Sequence, residues 1–470
     1  MSGTFLKLRP LLVFVVILLV GILPILVSIG ADVNFAEIDF ESGNYAQAAE
    51  HYDLAAGKIP WSLDVWERAG VAWFYANDFD NALVRLDKVR SGHALTPVGW
   101  TVLGEIYLAK SQAGSALQAW NSGFEEFPDH QEFYLHISRG YRMLEDYPSE
   151  KDALEHWIAS GNADAGAHFR LALLSLVGDP NTALDELHTA VNLDPEYKDV
   201  ADTLRTTVHL AELEPDRSES LLIVGRGLAL VNEWNLAREL FKQAVQIDPL
   251  HAEAWAWMGE AEGQLGRDGL TDLARALELD PSSAVVRGLR GLYWKRVQEF
   301  DRALVEEQIA AELEPSNPAW QAAIGESHYL LGDLATALLD FQHAVDLAPR
   351  DPTYLRLLAV FCAENSVHIE DIGIPAALKA VELKPGDPQM LDTLGWSYFA
   401  SGKYTLAEQT LSEAVKSDPL NFSAHLHLAM TYLAVGRASE AYDELILVRD
   451  ESRDDGLAAY ADHLIGRYFQ

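Results

Sequence analysis

Along most of the chain, apolar residues recur at intervals of three and four, the period of a helix that hides one face. Leu391, Leu394, Gly395 and Tyr398 fall at i, i+3, i+4 and i+7, and Ala407, Leu411 and Ala414 follow at i, i+4 and i+7. Gly402, between the two stripes, permits a tight turn. Pro419 cannot continue a helix and biases Asp418 away from helical angles, so the second stripe stops there. The pattern predicts a helical hairpin in which small residues at Gly395, Ala407 and Ala414 let two backbones approach while large neighbours fill the remaining gap.

The same phrase returns, reworded, as "LARELFKQAVQIDP" (Leu236 to Pro249), "ATALLDFQHAVDLAP" (Ala335 to Pro349) and "LAEQTLSEAVKSDP" (Leu406 to Pro419). Its period is 34: Ala48, Ala82 and Ala116 keep that interval, as do Ala303 and Ala337, Ala407 and Ala441, and the prolines Pro281, Pro315 and Pro349. About eleven units are readable. Regular ones begin near Ile29, Leu63, Pro97, Ser218, Ala284, Pro318, Pro388 and Phe422. The unit from Gln131 reads as carrying about three extra residues in its turn, "EDYPSEKDA"; the one near His251 is shortened; the one from Asp351 is stretched by "NSVHIEDIGIP". A further unit, Gly161 to Pro195, has Leu171 where a small residue is expected. One hairpin hides only part of its apolar surface, so stacked neighbours must hide the rest.

Trp100, Leu103, Gly104 and Tyr107 are spaced W-x2-L-G-x2-Y, with Ala116, Trp120 and Pro128 following. This resembles the tetratricopeptide repeat, with Trp120 where Phe is usual. The resemblance implies an all-α, right-handed superhelical solenoid of stacked helix-turn-helix repeats. It divides the chain into an N-terminal segment (1–30), a first repeat stack (31–195), an irregular helical seam (196–217), a second stack (218–455) and a capping helix (456–470) marked by Leu457, Ala461, Leu464, Ile465 and Tyr468.

The N-terminal segment breaks the pattern. No charged residue stands between Pro10 and Ala31, and the apolar run Leu11 to Ile29 has 19 residues, close to the ~20 of a membrane-crossing helix. Lys7 and Arg9 precede it, while Asp32, Glu37, Asp39 and Glu41 follow. The basic flank places the N-terminus on the cytoplasmic side and the remainder outside, with residues 11–29 as a single-pass anchor. The competing expectation is a signal peptide cut near Ala31, after the small residues Ser28 and Gly30.

Charge then narrows the partners. The 470 residues carry 71 acidic against 35 basic side chains, a formal net charge of -36, which opposes nucleic-acid binding. Cys362 is the single cysteine, so no intrachain disulfide and no cysteine-based metal cage forms. The fifteen histidines contain no i,i+3 or i,i+4 pair; His425 and His427 read as packing or surface groups. Cys362 with His368 nearby resembles a nucleophile and base, against the plainer reading of a buried residue in "LLAVFCA". "GRGLAL" at Gly225 lacks the preceding strand of a phosphate loop. Outside the N-terminal segment the longest stretch free of repeats is Glu196 to Arg217, about 22 residues, too short for a catalytic domain. No catalytic residue, cofactor site or metal site is assigned.

Tetratricopeptide proteins typically bind extended peptides or helices on the face made by their first helices. Carrying those positions over names Phe74, Tyr75, Arg139, Arg142, Arg226, Lys295, Arg296, Tyr329, Trp396 and Phe399 as a partner groove. The positions of the family's carboxylate clamp hold Glu67, Thr101 and Leu135 instead, which leaves that specialised role unsupported. From Leu265 to Leu304, seven basic residues (Arg267, Arg275, Arg287, Arg290, Lys295, Arg296, Arg302) stand against six acidic ones. They either receive an acidic partner segment or balance carboxylates on adjacent repeats. The expected function is a non-catalytic, membrane-anchored interaction scaffold for an extracytoplasmic envelope complex. The alternatives are a regulatory or targeting subunit of an envelope enzyme of polysaccharide or peptidoglycan synthesis and, remotely, an enzyme with its site at an irregular repeat.

Overall fold

A computed structural model of the chain describes residues 23–92, 95–162, 164–176, 178–452 and 454–469. Among them every regular element is a helix. The chain divides into two compact units at Leu213/Glu214.

The first unit holds five antiparallel hairpins: α1 (Leu23–Glu41) with α2 (Tyr45–Lys58), α3 (Leu63–Tyr75) with α4 (Phe79–Arg90), α5 (Pro97–Ala109) with α6 (Ala113–Glu126), α7 (Phe133–Met143) with α8 (Tyr147–Ala159), and α9 (Ala165–Ser175) with α10 (Pro180–Leu193). After a 3-10 turn at Pro195–Tyr197, the single helix α11 (Lys198–Leu213) closes this unit, burying Ala201, Leu204 and Val208.

The second unit holds seven: α12 (Arg217–Leu230) with α13 (Trp234–Ile247), α14 (Ala252–Gln264) with α15 (Leu270–Leu279), α16 (Ala284–Arg296) with α17 (Phe300–Leu313), α18 (Pro318–Leu330) with α19 (Leu334–Leu347), α20 (Pro352–Glu364) with α21 (Ile374–Leu383), α22 (Pro388–Ala400) with α23 (Tyr404–Ser417), and α24 (Phe422–Ala434) with α25 (Ala438–Glu451). A last helix, α26 (Asp455–Tyr468), packs Leu457, Ala461, Leu464 and Ile465 onto Leu426, Leu445 and Val448. The twelve hairpins correspond one for one to the eight regular, three irregular and one further unit named from the sequence.

Three local rules make these hairpins. Side-chain caps start many helices: Asp78, Thr96, Asp179, Asp333 and Asp387 each accept from a backbone N–H in the first turn. Among the described residues, the turns of eleven hairpins hold a left-handed residue, supplied by Gly43, Gly266, Gly332, Gly402 and Gly436 in some units, and by Asn77, Ser111, Glu145, Asn232, Gln298 and Ser366 (with His368 beside it) in others. Finally, a missing side chain on the first helix receives a large one from the second. A Cβ on Gly104 would lie 2.0 Å from Trp120 Nε1, one on Gly225 2.4 Å from Phe241 Cε1, and one on Gly395 2.5 Å from Leu411 Cγ. Trp120, Phe241 and Leu411 are in turn fully buried.

The irregular units differ in part from the sequence reading. The Gln131 unit has no lengthened turn. Leu144 to Asp146 forms the usual three-residue connection and Asp146 caps α8 directly, with Pro148 tolerated in its first turn. The irregularity falls earlier, where α7 starts late at Phe133. In the next unit the fully buried small residue is Ala172, one position beyond Leu171. The shortening near His251 is taken by α15, only 10 residues long, and the insertion after Asp351 forms a π-helical turn, Ile369–Gly373, ahead of α21.

The proposed anchor over residues 11–29 lies largely outside the described residues, and among those described no helix is long and apolar enough to cross a membrane. What is described is α1 itself, which runs without a break through Ala31 to Glu41. Ile29 is buried, and Lys58 Nζ on α2 donates to Ser28 Oγ at 2.6 Å and pairs with Asp32.

Candidate partner-binding faces

The ten residues singled out as a groove fall into both units, four in the first and six in the second. In the first unit, Phe74, Tyr75 and Arg139 line one cleft of about 450 Å³, joined by Asn77, Phe79, Glu105, Leu108 and Ala109. It crosses the first helices of three successive hairpins, α3, α5 and α7. Its aromatic wall is continuous: Tyr75 lies 5.3 Å from Phe74, 5.2 Å from Tyr45 and 5.6 Å from Phe40, and Phe74 lies 5.9 Å from Phe79. Tyr75 is 47% exposed, so the wall faces solvent. Its polar side is a forked ion pair, Arg139 Nη1 to Glu105 Oε1 at 2.6 Å and Nη2 to Oε2 at 3.3 Å, with His136 Nδ1 3.0 Å from the same Glu105 oxygen. Burial pushes the Glu105 carboxyl upward, but the His136 hydrogen bond and the Arg139 charge outweigh it and hold the group below its ordinary value.

Arg142 is not part of this cleft. Its Nε donates to Glu150 Oε1 at 2.7 Å, and Arg170 grips the same carboxylate at 2.7 and 2.9 Å. Glu150 is fully buried, so Arg142 helps neutralise an interior charge. Glu67, at a clamp position, accepts from the backbone N–H of Thr96 at 3.0 Å and ties α3 to the start of α5.

In the second unit the basic run from Leu265 to Leu304 is spent on carboxylates. Arg287 and Arg290 share Glu306 at 2.8 and 2.9 Å, Lys295 bridges Glu307 and Glu326 at 2.8 and 2.7 Å, and Arg296 pairs with the buried Glu260. Arg267, Arg275 and Arg302 pair with Glu262, Glu278 and Glu299. Balance among neighbouring helices is therefore the reading the geometry supports, and Lys295 and Arg296 serve the stack. Burial raises the carboxyls of Glu260 and Glu307 despite these partners. Arg226 is exposed, with its guanidinium 5.6 Å from the Trp257 ring centre. Tyr329 meets Phe361 edge-on at 6.0 Å.

Trp396 and Phe399 do come together, but as layers of a stack. Phe399 stacks on the indole at 4.9 Å and His427 at 4.3 Å, both nearly parallel to it. His427 Nδ1 is held 2.7 Å from Asp392 Oδ1, and Ser423 donates to the other oxygen of Asp392 at 2.9 Å. Sequence reasoning names His427 only as a packing or surface group and passes over Asp392. The 35-residue separation of this pair, one unit plus one residue, is the signal that locates it.

The remaining chemistry stays structural. Cys362 is fully buried, and burial first, then the Asp371 charge, pushes its thiol up to about 11, while His368 faces Asp371 at 2.9 Å. Gly225 accommodates Phe241. Among the described residues no group of three or more His, Cys, Asp or Glu is arranged to hold a metal ion.

Over 177 residues the chain is 24% identical to anaphase-promoting complex subunit 3 of Schizosaccharomyces pombe, covering 37% of this chain and 24% of that protein. Over 169 residues it is 26% identical to the human protein O-mannosyl-transferase TMTC1, covering 36% of this chain and 18% of that one. The chain thus spans a quarter or less of these relatives' length. Among solved structures it is similar to yeast Tom70 (15% identity, 93% of this chain and 95% of that one, TM-score 0.44). It is likewise similar to the Cut9–Hcn1 assembly of the APC/C (14% identity, 91% and 95%, TM-score 0.43). Residues 398–462, from the end of α22 into α26, match the tetratricopeptide repeat family; elsewhere among the described residues antiparallel helical hairpins recur.

Proposed function

We propose that this protein is a non-catalytic interaction scaffold that takes a protein segment, extended or helical, in the cleft of its first unit. The observation that carries this reading is the aromatic wall of exposed Tyr75 and half-buried Phe74 and Phe79, which shares its cleft with the Arg139–Glu105 pair. Aromatic rings and arginine are the side chains that most often dominate binding energy at interfaces. The cleft is open and about 450 Å³, enough for a few side chains of a peptide. The test is a photoreactive phenylalanine at Tyr75, irradiated in cells and read by mass spectrometry. A discrete protein adduct that disappears with Phe74→Ala or Arg139→Glu supports the reading. Absence of any adduct from the folded protein sinks it.

The scaffold's setting is part of the same proposal: a single-pass anchor over residues 11–29 holding the repeats outside the cytoplasm, in the service of an envelope complex. The unbroken course of α1 across Ala31 favours an uncut segment, because cleavage there would remove the buried Ile29 and the Ser28 partner of Lys58. N-terminal sequencing of the mature protein and its retention in carbonate-washed membranes test this. A mature chain that starts near Ala31 and washes free overturns it.

A further inference from the structure

We propose that α1 is a self-association helix, through which two copies of this chain pair side by side in parallel. The helix has two apolar faces. Val33, Ala36 and Phe40, with Ile29 in line before them, are turned inward, and the first three belong to the core with Ala48, Tyr52 and Ala69. On the opposite side Val27, Ala31, Asn34 and Ile38 are uncovered by the rest of the described chain, with Val27 65% and Ile38 51% exposed. The helix that ends a repeat stack ordinarily shows water a polar side. At the other end of the chain α26 does so, with Asp455, Asp462, His463 and Arg467 exposed. The exposed face of α1 does not.

Its spacing of four, three and four is that of a coiled-coil seam, with Val27 and Asn34 at d positions and Ala31 and Ile38 at a positions. The flanks fit a second copy specifically. In a parallel pair, a residue beside the seam meets the one five positions further along the other helix, which sets Gly30 against Phe35. Phe35 is 53% exposed, its ring 5.8 Å from His51 at the helix edge. A Cβ on Gly30 would meet nothing within 4 Å. Each copy therefore offers one ring and one vacant backbone position, and a two-fold axis satisfies both at once. Of the neighbouring carboxylates, Asp32 is paired with Lys58 and Glu37 with Arg68, each within its own copy, and the exposed Glu41, at the next seam position, ends the apolar seam at Ile38. The seam from Val27 to Ile38 is about 16 Å of helix at ~1.5 Å per residue. That is short, so the test keeps the full chain with the 22 residues that lead into α1.

The one native cysteine is buried, so introduced cysteines report cleanly. Single cysteines are placed at Ala31, Asn34 and Ile38 and, off the seam, at Asp32, Val33 and Ala36, and disulfide dimer is measured under mild oxidation. The expected result is several-fold more dimer at the first three than at the second three, reduced again by adding Gly30→Leu while helicity and melting midpoint hold. No dimer at the seam positions, equal dimer at all six, or capture of a different polypeptide there would each overturn the proposal.

Discussion

At the scale of the residue, the fold depends on holes in one helix filled by side chains from the next. Gly104 and Trp120 make the sharpest case, since a Cβ there would stand 2.0 Å from the indole nitrogen. Gly104→Ala should lower the stability of the first unit by about 1–3 kcal/mol, the usual cost of overfilling a packed site. Gly114, an exposed residue of α6 where an added methyl would meet nothing within 4 Å, should tolerate alanine or gain up to about 1 kcal/mol. Urea midpoints of the two variants decide this, and equal losses would refute the packing account. Glu105 supports a second expectation. Its folded carboxyl lies below the ordinary 4.5, so the stability it contributes is complete above that pH and is lost as the pH falls through the lowered value. Glu105→Gln should therefore flatten the decline of the urea midpoint below pH 4.5, and a decline as steep as in the unaltered protein would count against the Arg139–His136–Glu105 cluster. Singly, these residues are only partly legible in the sequence. Glycine within an apolar i+3 and i+4 pattern announces the holes, whereas Glu105 and His136 meet across 31 residues and carry no local mark.

At the scale of the element, eleven hairpin turns among the described residues set a residue in the left-handed region, whether or not it is glycine. Gln298 has φ 62° and Gly402 has φ 78° at equivalent turns. Gln298→Gly should stabilise its unit and Gly402→Ala should destabilise its own, each by about 1 kcal/mol. Thermal melts that move in the same direction for both would contradict this. The turns also show why the hairpins are readable and their irregularities less so. A 34-residue recurrence of alanine and proline marks where second helices lie, because those residues stop helices or permit close approach. It does not fix where a first helix starts. Around Gln131 the late start of α7 therefore looks like a long turn, and at Leu171 the pattern sets the small position one residue early. The groove positions share this weakness. Helical phase puts Arg142, Lys295 and Arg296 on first helices correctly, but Glu150, Glu307 and Glu260 claim them, and those partners lie 8, 12 and 36 residues away.

At the scale of the whole molecule, the chain is two compact units joined at Leu213/Glu214, where Glu212, Leu213, Pro215 and Asp216 are exposed and Glu214 is half-buried between the last turn of α11 and the cap of α12. Brief digestion with a glutamate-specific protease under native conditions should cut first at Glu212 or Glu214 and leave two fragments that keep their helical circular dichroism. Earlier cuts inside the hairpins would show that the units are not the stable bodies of this chain. The acidity of the molecule suits such an open surface: a net charge of -36 discourages indiscriminate clumping while leaving defined apolar places available. The contrast between α1 and α26 decides what kind of clumping remains. Filaments grow when a surface at one end complements a different surface at the other, so that every addition leaves a fresh site. Here the apolar stripe of α1 has no counterpart on the polar side of α26. A contact made by like stripes uses both of them up, so growth would halt at two.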